Sequence, residues 1–151
     1  MAGFKFRLET ILKLKEQFEK NAKNELGIAI MKLEEEKLKL KNICDEIKIN
    51  MIEFKNACTG IIQREKIKEL KSFLNFLDGA KERQEENVKK EEENVDKIRD
   101  KLVEIMKERK VLENLREKEF HKYLKEEERK EQQRVDELVS YKEAAKVDKT
   151  S

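Results

Sequence analysis

Apolar residues return at a spacing of seven through the first part of this chain, at seven of eight successive positions. In steps of seven from residue 12, the positions are Leu12, Glu19, Leu26, Leu33, Leu40, Ile47, Phe54 and Ile61. A second apolar series, which includes Ala22, Ala29 and Met51, follows three or four positions behind the first. This is the a/d spacing of a coiled coil. We therefore predict a first helix over about residues 6–57, about 75–80 Å long at ~1.5 Å per residue.

Composition separates this prediction from its main alternative, a disordered chain. Charged residues make up 46% of the 151 positions, which is also typical of disorder, but disordered chains lack periodic apolar residues. Proline is absent, so nothing in the sequence forbids long helices. The 36 basic and 34 acidic residues alternate along the chain, often four apart as in Glu85 and Lys89. Such interleaving favours solvated helix faces over a nucleic-acid-binding surface, so we expect no nucleic-acid partner.

Two turn signals divide the rest of the chain. Thr59-Gly60 ends the first pattern, and Asp78-Gly79 is a second turn signal. Between them we predict a connecting segment over about residues 59–79 that contains a short helix. Heptads return from Ala80, with a register shift near residues 110–115, and predict a second long helix over about residues 80–141. We expect residues 147–151 to fray.

Two long helices joined near the middle of the chain can pack against each other. We predict one all-α domain over residues 1–151, a long antiparallel two-helix coiled-coil hairpin with a short helical segment at the connection. Pairing of the apolar seams between two chains, in a parallel dimer, is the alternative that the sequence leaves open.

The sequence offers no constellation for catalysis. His121 is the only histidine, and Cys44 and Cys58 lie two heptads apart, about 21 Å along a helix. We expect no enzyme activity, no cofactor and no metal. No signal peptide and no run of ~20 apolar residues is apparent, so we expect a cytoplasmic protein that does not insert into a membrane.

Two apolar clusters stand out from the charged background. In the midsection, Leu70, Phe73, Leu74 and Leu77 would share one helix face, with Phe76 and Ala80 beside it. They either cap the open end of the hairpin or form a docking surface for a partner. At the amino terminus, Phe4, Phe6 and Leu8 alternate and are followed by Ile11 and Leu12. These residues either staple the start of the helix or insert into a partner's cavity.

Three segments carry a family resemblance. The opening Phe4-Lys5-Phe6-Arg7-Leu8-Glu9-Thr10-Ile11-Leu12-Lys13-Leu14-Lys15 resembles the F-x-F-x-L-E-x-[IVL]-L-x-[LY]-[KR] start of flagellar FliJ proteins. Residues 108–118, with a Leu-Glu-x-Leu pattern, resemble the family's second-helix signature, and residues 129–138 are similar to its usual ending. Length and two-helix layout also agree with this family.

The resemblance implies a function in flagellar protein export. FliJ proteins are stalks that insert their paired termini into the hexameric export ATPase FliI, promote its assembly and activity, and link it to the export gate protein FlhA. The implied location is the cytoplasmic side of the membrane at the base of the flagellum, in cells whose motility depends on that export. Export chaperones are further partners that the sequence leaves open. A generic coiled-coil scaffold, or a stalk subunit of another rotary ATPase or related secretion system, is the alternative function.

The same resemblance assigns two contact surfaces. The candidate ATPase-ring contacts are Phe4, Phe6, Leu8, Ile11, Leu12, Val135 and Leu138. The candidate export-gate contacts are Leu70, Phe73, Phe76, Leu77 and Ala80.

Overall fold

The chain folds into two long helices. The computed structural model describes residues 3–150, and within them α1 spans Glu9–Ala57 and α2 spans Arg64–Thr150, with no β-strand. The helices contain 49 and 87 residues. Helix-forming residues and the absence of proline allow this continuity. The predicted all-α, two-helix fold class is confirmed.

Local hydrogen bonds set the ends of α1. The Glu9 N–H donates to the Phe6 carbonyl at 3.2 Å and the Leu12 N–H to the Leu8 carbonyl at 2.9 Å, so α1 begins about three residues later than predicted. At the other end Gly60 has φ of 82°, a left-handed conformation that residues with a Cβ rarely adopt. The predicted turn at Thr59-Gly60 is therefore confirmed.

The second predicted turn, at Asp78-Gly79, is wrong. Residues 64–77 are helical as predicted, but they are the first turns of α2, which continues through Gly79 without a break. A glycine inside a helix costs only about 1 kcal/mol relative to alanine, and burial of the neighbouring Leu77 outweighs it.

The carboxyl end of α2 also differs from the prediction. The helix runs to Thr150 rather than to about residue 141. The predicted tail of residues 147–151 is thus helical as far as residue 150, and Ser151 lies outside the described residues. Fraying of that tail, and a single domain over residues 1–151, stay predictions.

The structure divides into two compact units, and each is an antiparallel pairing of α1 with α2. In the unit formed by Glu19–Glu104, Lys101 Nζ lies 3.9 Å from a Glu25 carboxylate oxygen and Lys32 Nζ lies 3.5 Å from a Glu91 oxygen. As residue numbers rise along α1, those of their partners fall along α2. The two seams of this unit therefore pack within one chain, as the hairpin prediction requires.

The core of this unit follows the heptads predicted for α1. One cluster in this core consists of four buried residues with three half-buried ones packed on them: Ala29, Leu33, Val88 and Val95, with Leu26, Leu40 and Ile98. Glu19, the one charged residue in the heptad series, is buried too, and its carboxylate lies 3.3 Å from Lys23 Nζ. The apolar period thus predicted which side of α1 faces the core, and Glu19, the charged residue in that series, is buried on the same side.

Gln84 is a buried polar residue in the same unit. Its side-chain amide donates to the Glu36 backbone carbonyl at 2.9 Å and also to the Glu36 carboxylate. The hydrogen bond from Gln84, with the charge of nearby Lys39 and Lys32, lowers the pKa of Glu36. One layer of contacts between the two helices is therefore polar, from Gln84 on α2 to Glu36 on α1.

The other unit combines Met1–Phe18 with Ile105–Ser151. Phe6 and Leu12 are buried in it. Lys15 Nζ contacts Glu108 at 2.5 Å, and Arg116 Nε donates to Glu9 at 3.0 Å. Here too the two helices are antiparallel.

Candidate functional site

An aromatic cluster fixes the segment that precedes α1. The Phe4 ring meets Phe120 edge-on, with ring centroids 5.2 Å apart, and lies 5.6 Å from Tyr123. The Phe120 and Tyr123 rings are themselves roughly parallel at 6.4 Å. Edge-on and offset pairs are the favoured geometries for aromatic side chains. The segment around Phe4 therefore packs on α2 near residues 120–123.

The predicted ring contacts at the amino terminus differ in accessibility. Phe6 and Leu12 are buried, Phe4 and Leu8 are half-buried, and Ile11 is exposed. Burial of Phe6 and Leu12 indicates that they hold this segment against α2, the stapling interpretation of the pattern. Of the five, Ile11 is the residue most available to a partner.

The structure places Val135 and Leu138 apart from that amino-terminal group. Residues 128–144 of α2 are all exposed, and we call this stretch the carboxy-terminal extension. Val135 lies twelve residues beyond Tyr123 on the same helix, about 18 Å at ~1.5 Å per residue. The two halves of the predicted ring-contact surface are therefore not in contact with each other.

The midsection divides the predicted gate contacts into two groups. Leu77 is buried, and Leu70 and Ala80 are half-buried. Phe73 and Phe76 are exposed, with their rings nearly parallel and 6.2 Å apart. The capping and docking interpretations thus apply to different residues, since the Leu side is packed and the Phe pair faces solvent.

The polar groups of the described residues form no recognisable reaction centre. No group of three or more His, Cys, Asp or Glu side chains there could hold a metal ion. His121 Nε2 lies 3.9 Å from Glu117 on an exposed face, and both cysteines are free. An open groove beside Phe4 is lined by Glu9, Glu16, Glu113 and Glu117, and Arg116 Nε donates to Glu9 within it.

The described part of the chain contains no helix that is long and apolar enough to span a membrane.

Two features of the structure were not predicted from the sequence. Gln84 follows Leu77 by one heptad, so continuing the apolar series from Leu77 would have placed it in the seam. Phe4 and Tyr123 belong to separate apolar patterns, and only the helix register, which the sequence did not provide, brings them together.

Comparison with known protein families identifies a match to this chain. The profile of the family described as Flagellar FliJ protein matches residues 4–146, nearly the whole chain. No curated protein and no solved structure matched. The match includes the amino-terminal motif that carries Phe4, Phe6 and Leu8, and it extends through both helices. The chain therefore belongs to the flagellar FliJ family, whose members are non-catalytic components of flagellar protein export.

Proposed function

We propose that this protein is the cytoplasmic stalk that binds the hexameric export ATPase FliI, promotes its assembly and activity, and links it to the export gate protein FlhA at the base of the flagellum. Family membership carries the general role in export. The observation that most supports the finer proposal is the carboxy-terminal extension, a helix with exposed Val135 and Leu138 and no packed face. Such a helix can enter a cavity of a partner while the rest of the protein keeps its fold.

Exposure refines the ring-binding surface. Phe6 and Leu12 are buried, so their replacement would disturb the fold as well as any contact. Ile11, Val135 and Leu138 are exposed and can contact a ring directly. We assign these three to the ring contact, with Phe6, Leu12 and the half-buried Phe4 and Leu8 positioning the amino-terminal segment.

The gate contact rests on the exposed phenylalanine pair. Phenylalanine is among the residues enriched in protein–protein interfaces, and its ring buries a large apolar area on binding. Phe73 and Phe76 are therefore the anchors of the proposed FlhA contact. Leu70, Leu77 and Ala80 support them from the packed side of the helix.

ATP hydrolysis by the cognate FliI at rising concentrations of this protein tests the ring contact. The proposal requires stimulation that Val135→Ser and Leu138→Ser reduce. Val111→Ser is the matched control, because Val111 is also exposed on α2 but lies outside the carboxy-terminal extension. Stimulation unaffected by the first two variants would refute the assignment. No stimulation and no co-sedimentation would leave a coiled-coil scaffold or a stalk of another assembly.

Binding to the cytoplasmic domain of FlhA tests the gate contact. Phe73→Ser and Phe76→Ser should weaken binding while helicity stays unchanged. Phe18→Ser is the control, since Phe18 and Phe73 are both 42% exposed and Phe18 lies on α1. Equal effects of Phe18→Ser and Phe73→Ser would contradict the proposal.

A further inference from the structure

The outward side of α1 carries an apolar stripe that α2 does not cover. Within the unit Glu19–Glu104, six large apolar side chains of α1 are more than half exposed. Met51 belongs to the same apolar series as the buried Ala29, and the other five lie on the outward side: Ile28, Met31, Leu38, Ile49 and Ile52. We call these five residues the outer stripe. Apart from Phe73 and Phe76, which are assigned above to the gate contact, Val103 is the only large hydrophobic side chain that the described part of α2 exposes in this unit. The asymmetry indicates that one side of this helix pair is adapted to a partner.

The outer stripe has its own heptad register. Ile28 and Ile49 share one heptad position, and Met31, Leu38 and Ile52 share the position three residues later. This is the a/d spacing of a second coiled-coil seam. Both positions lie on the side of α1 opposite the buried Ala29 and Leu33, so a second helix can pack there without displacing α2.

The apolar residues in this seam are mostly of the types found in a two-stranded parallel coiled coil. Its apolar a positions hold Ile28 and Ile49, and its apolar d positions hold Met31, Leu38 and Ile52. β-Branched residues at a with leucine-like residues at d favour two strands, and Ile52 is the exception to this pattern. Asn42 occupies an a position, where an asparagine pairs with its counterpart and specifies register.

The flanking charges identify the second strand as another copy of α1. In a parallel coiled coil each g residue faces the e residue five positions later on the other helix. Applied to two copies of α1, this rule joins residues of opposite charge in four pairs: Lys20 with Glu25, Glu34 with Lys39, Lys41 with Glu46 and Lys48 with Glu53. Gly27 and Lys32 form the remaining pair, so no pair has like charges. Each pair occurs twice by symmetry.

An antiparallel arrangement of the same seam fits less well. In an antiparallel pairing centred near Leu40, Lys39 of one copy would lie close to Lys39 of the other, and Lys41 close to Lys41 of the other. Like charges at such positions destabilise the pairing. The charge pattern therefore favours parallel over antiparallel association.

The contact is large enough for a specific dimer. From Lys20 to Lys55 the seam and its flanks contain about twenty residues a side, near the 20–30 residues of a standard interface. Asn21 and Asn24 also fall in the seam, where each meets its counterpart. With Asn42 and the acidic Glu35 and Asp45, five of the ten a and d positions between residues 21 and 52 are polar. Those two acidic layers weaken the association and make it reversible.

We propose that the outer stripe joins two copies of this chain through a parallel, in-register pairing of their α1 helices. Sedimentation equilibrium of the full chain over rising concentration should show monomers converting to dimers. Met31→Glu should weaken the dimer by at least about tenfold, with helicity unchanged, whereas Val103→Glu on α2 should not. A protein that stays monomeric throughout overturns the proposal.

Charge reversal tests the parallel orientation. Lys41→Glu alone and Glu46→Lys alone should each weaken the dimer, and the two together should restore it. Failure of the double variant to recover overturns the parallel pairing, since in the antiparallel arrangement the same changes leave like charges opposed. Asn42→Cys, with Cys44 and Cys58 replaced by serine, should form a disulfide between copies under mild oxidation, because a residues of a parallel pair face each other.

Discussion

Two glycines should respond to alanine with opposite signs. Gly79 lies inside α2, and an added Cβ would meet only the end of the flexible Arg83 side chain at 3.5 Å. Gly79→Ala should therefore stabilise the protein by about 0.5–1 kcal/mol, the usual advantage of alanine over glycine in a helix. Gly60 has φ of 82°, so Gly60→Ala should destabilise by about 1–2 kcal/mol, the cost of the left-handed conformation for a residue with a Cβ.

Urea unfolding followed by circular dichroism at 222 nm measures both effects at one fixed, low protein concentration. Thermal midpoints should move by about 2–4 °C per kcal/mol, upward for Gly79→Ala and downward for Gly60→Ala. Gly27→Ala is the internal control, because Gly27 lies inside α1 with open space around it and should behave like Gly79. Destabilisation by Gly79→Ala would refute the continuous α2 and restore the turn predicted from the sequence.

Three further changes test the packing. Val95→Ala in the core should cost about 1–3 kcal/mol, whereas Val103→Ala on the surface should change stability by less than about 0.5 kcal/mol in the same urea assay. Because the hydrogen bond from Gln84 lowers the pKa of Glu36, that contact stabilises the fold above the ordinary pKa of 4.5 and is lost as pH falls through the lowered pKa. Gln84→Met should raise the Glu36 pKa, measured by NMR titration, and remove this part of the acid sensitivity; an unchanged pKa would contradict the assigned cause. Deleting residues 128–151 should leave the thermal midpoint within error while lowering the helical signal, since residues 128–144 are all exposed; a large drop in the midpoint would show that they pack.

The heptads of α1 predicted much of the fold because burial on one side of a helix requires apolar residues at a fixed period. Leu33 and Ala29 are buried where the pattern placed them. The turn predicted at Asp78-Gly79 is wrong because a turn signal is a local preference worth about 1 kcal/mol. The packing of Leu77 stabilises the helix by more than that. A local turn preference is overridden wherever burial of the neighbouring apolar side chains contributes more free energy than that preference.

The candidate site was only partly predictable for a different reason. The periodicity of Phe6 and Leu12 identified them as important, but a period alone does not tell whether an apolar residue contacts its own chain or a partner. That distinction depends on how far α2 extends past the amino terminus, which follows from the register between the helices. The register is set by contacts such as Glu9 with Arg116, and a single sequence does not specify which of many charged residues pair.

The carboxy-terminal extension has a thermodynamic consequence of its own. Without a packed face it relies on local pairs, such as Glu131 with Arg134 at 3.5 Å and Gln132 with Asp136 at 3.1 Å, and each contributes a few tenths of a kcal/mol. A helix held in this way is marginal in water, so its backbone amides should exchange with solvent far faster than those near Val95. Its residues are helical in the structure, so a partner that binds this helical form has less chain entropy to remove than in binding a tail without helix. Changes in its local ion pairs should therefore tune affinity through the helix population, with no change in the residues that touch the partner.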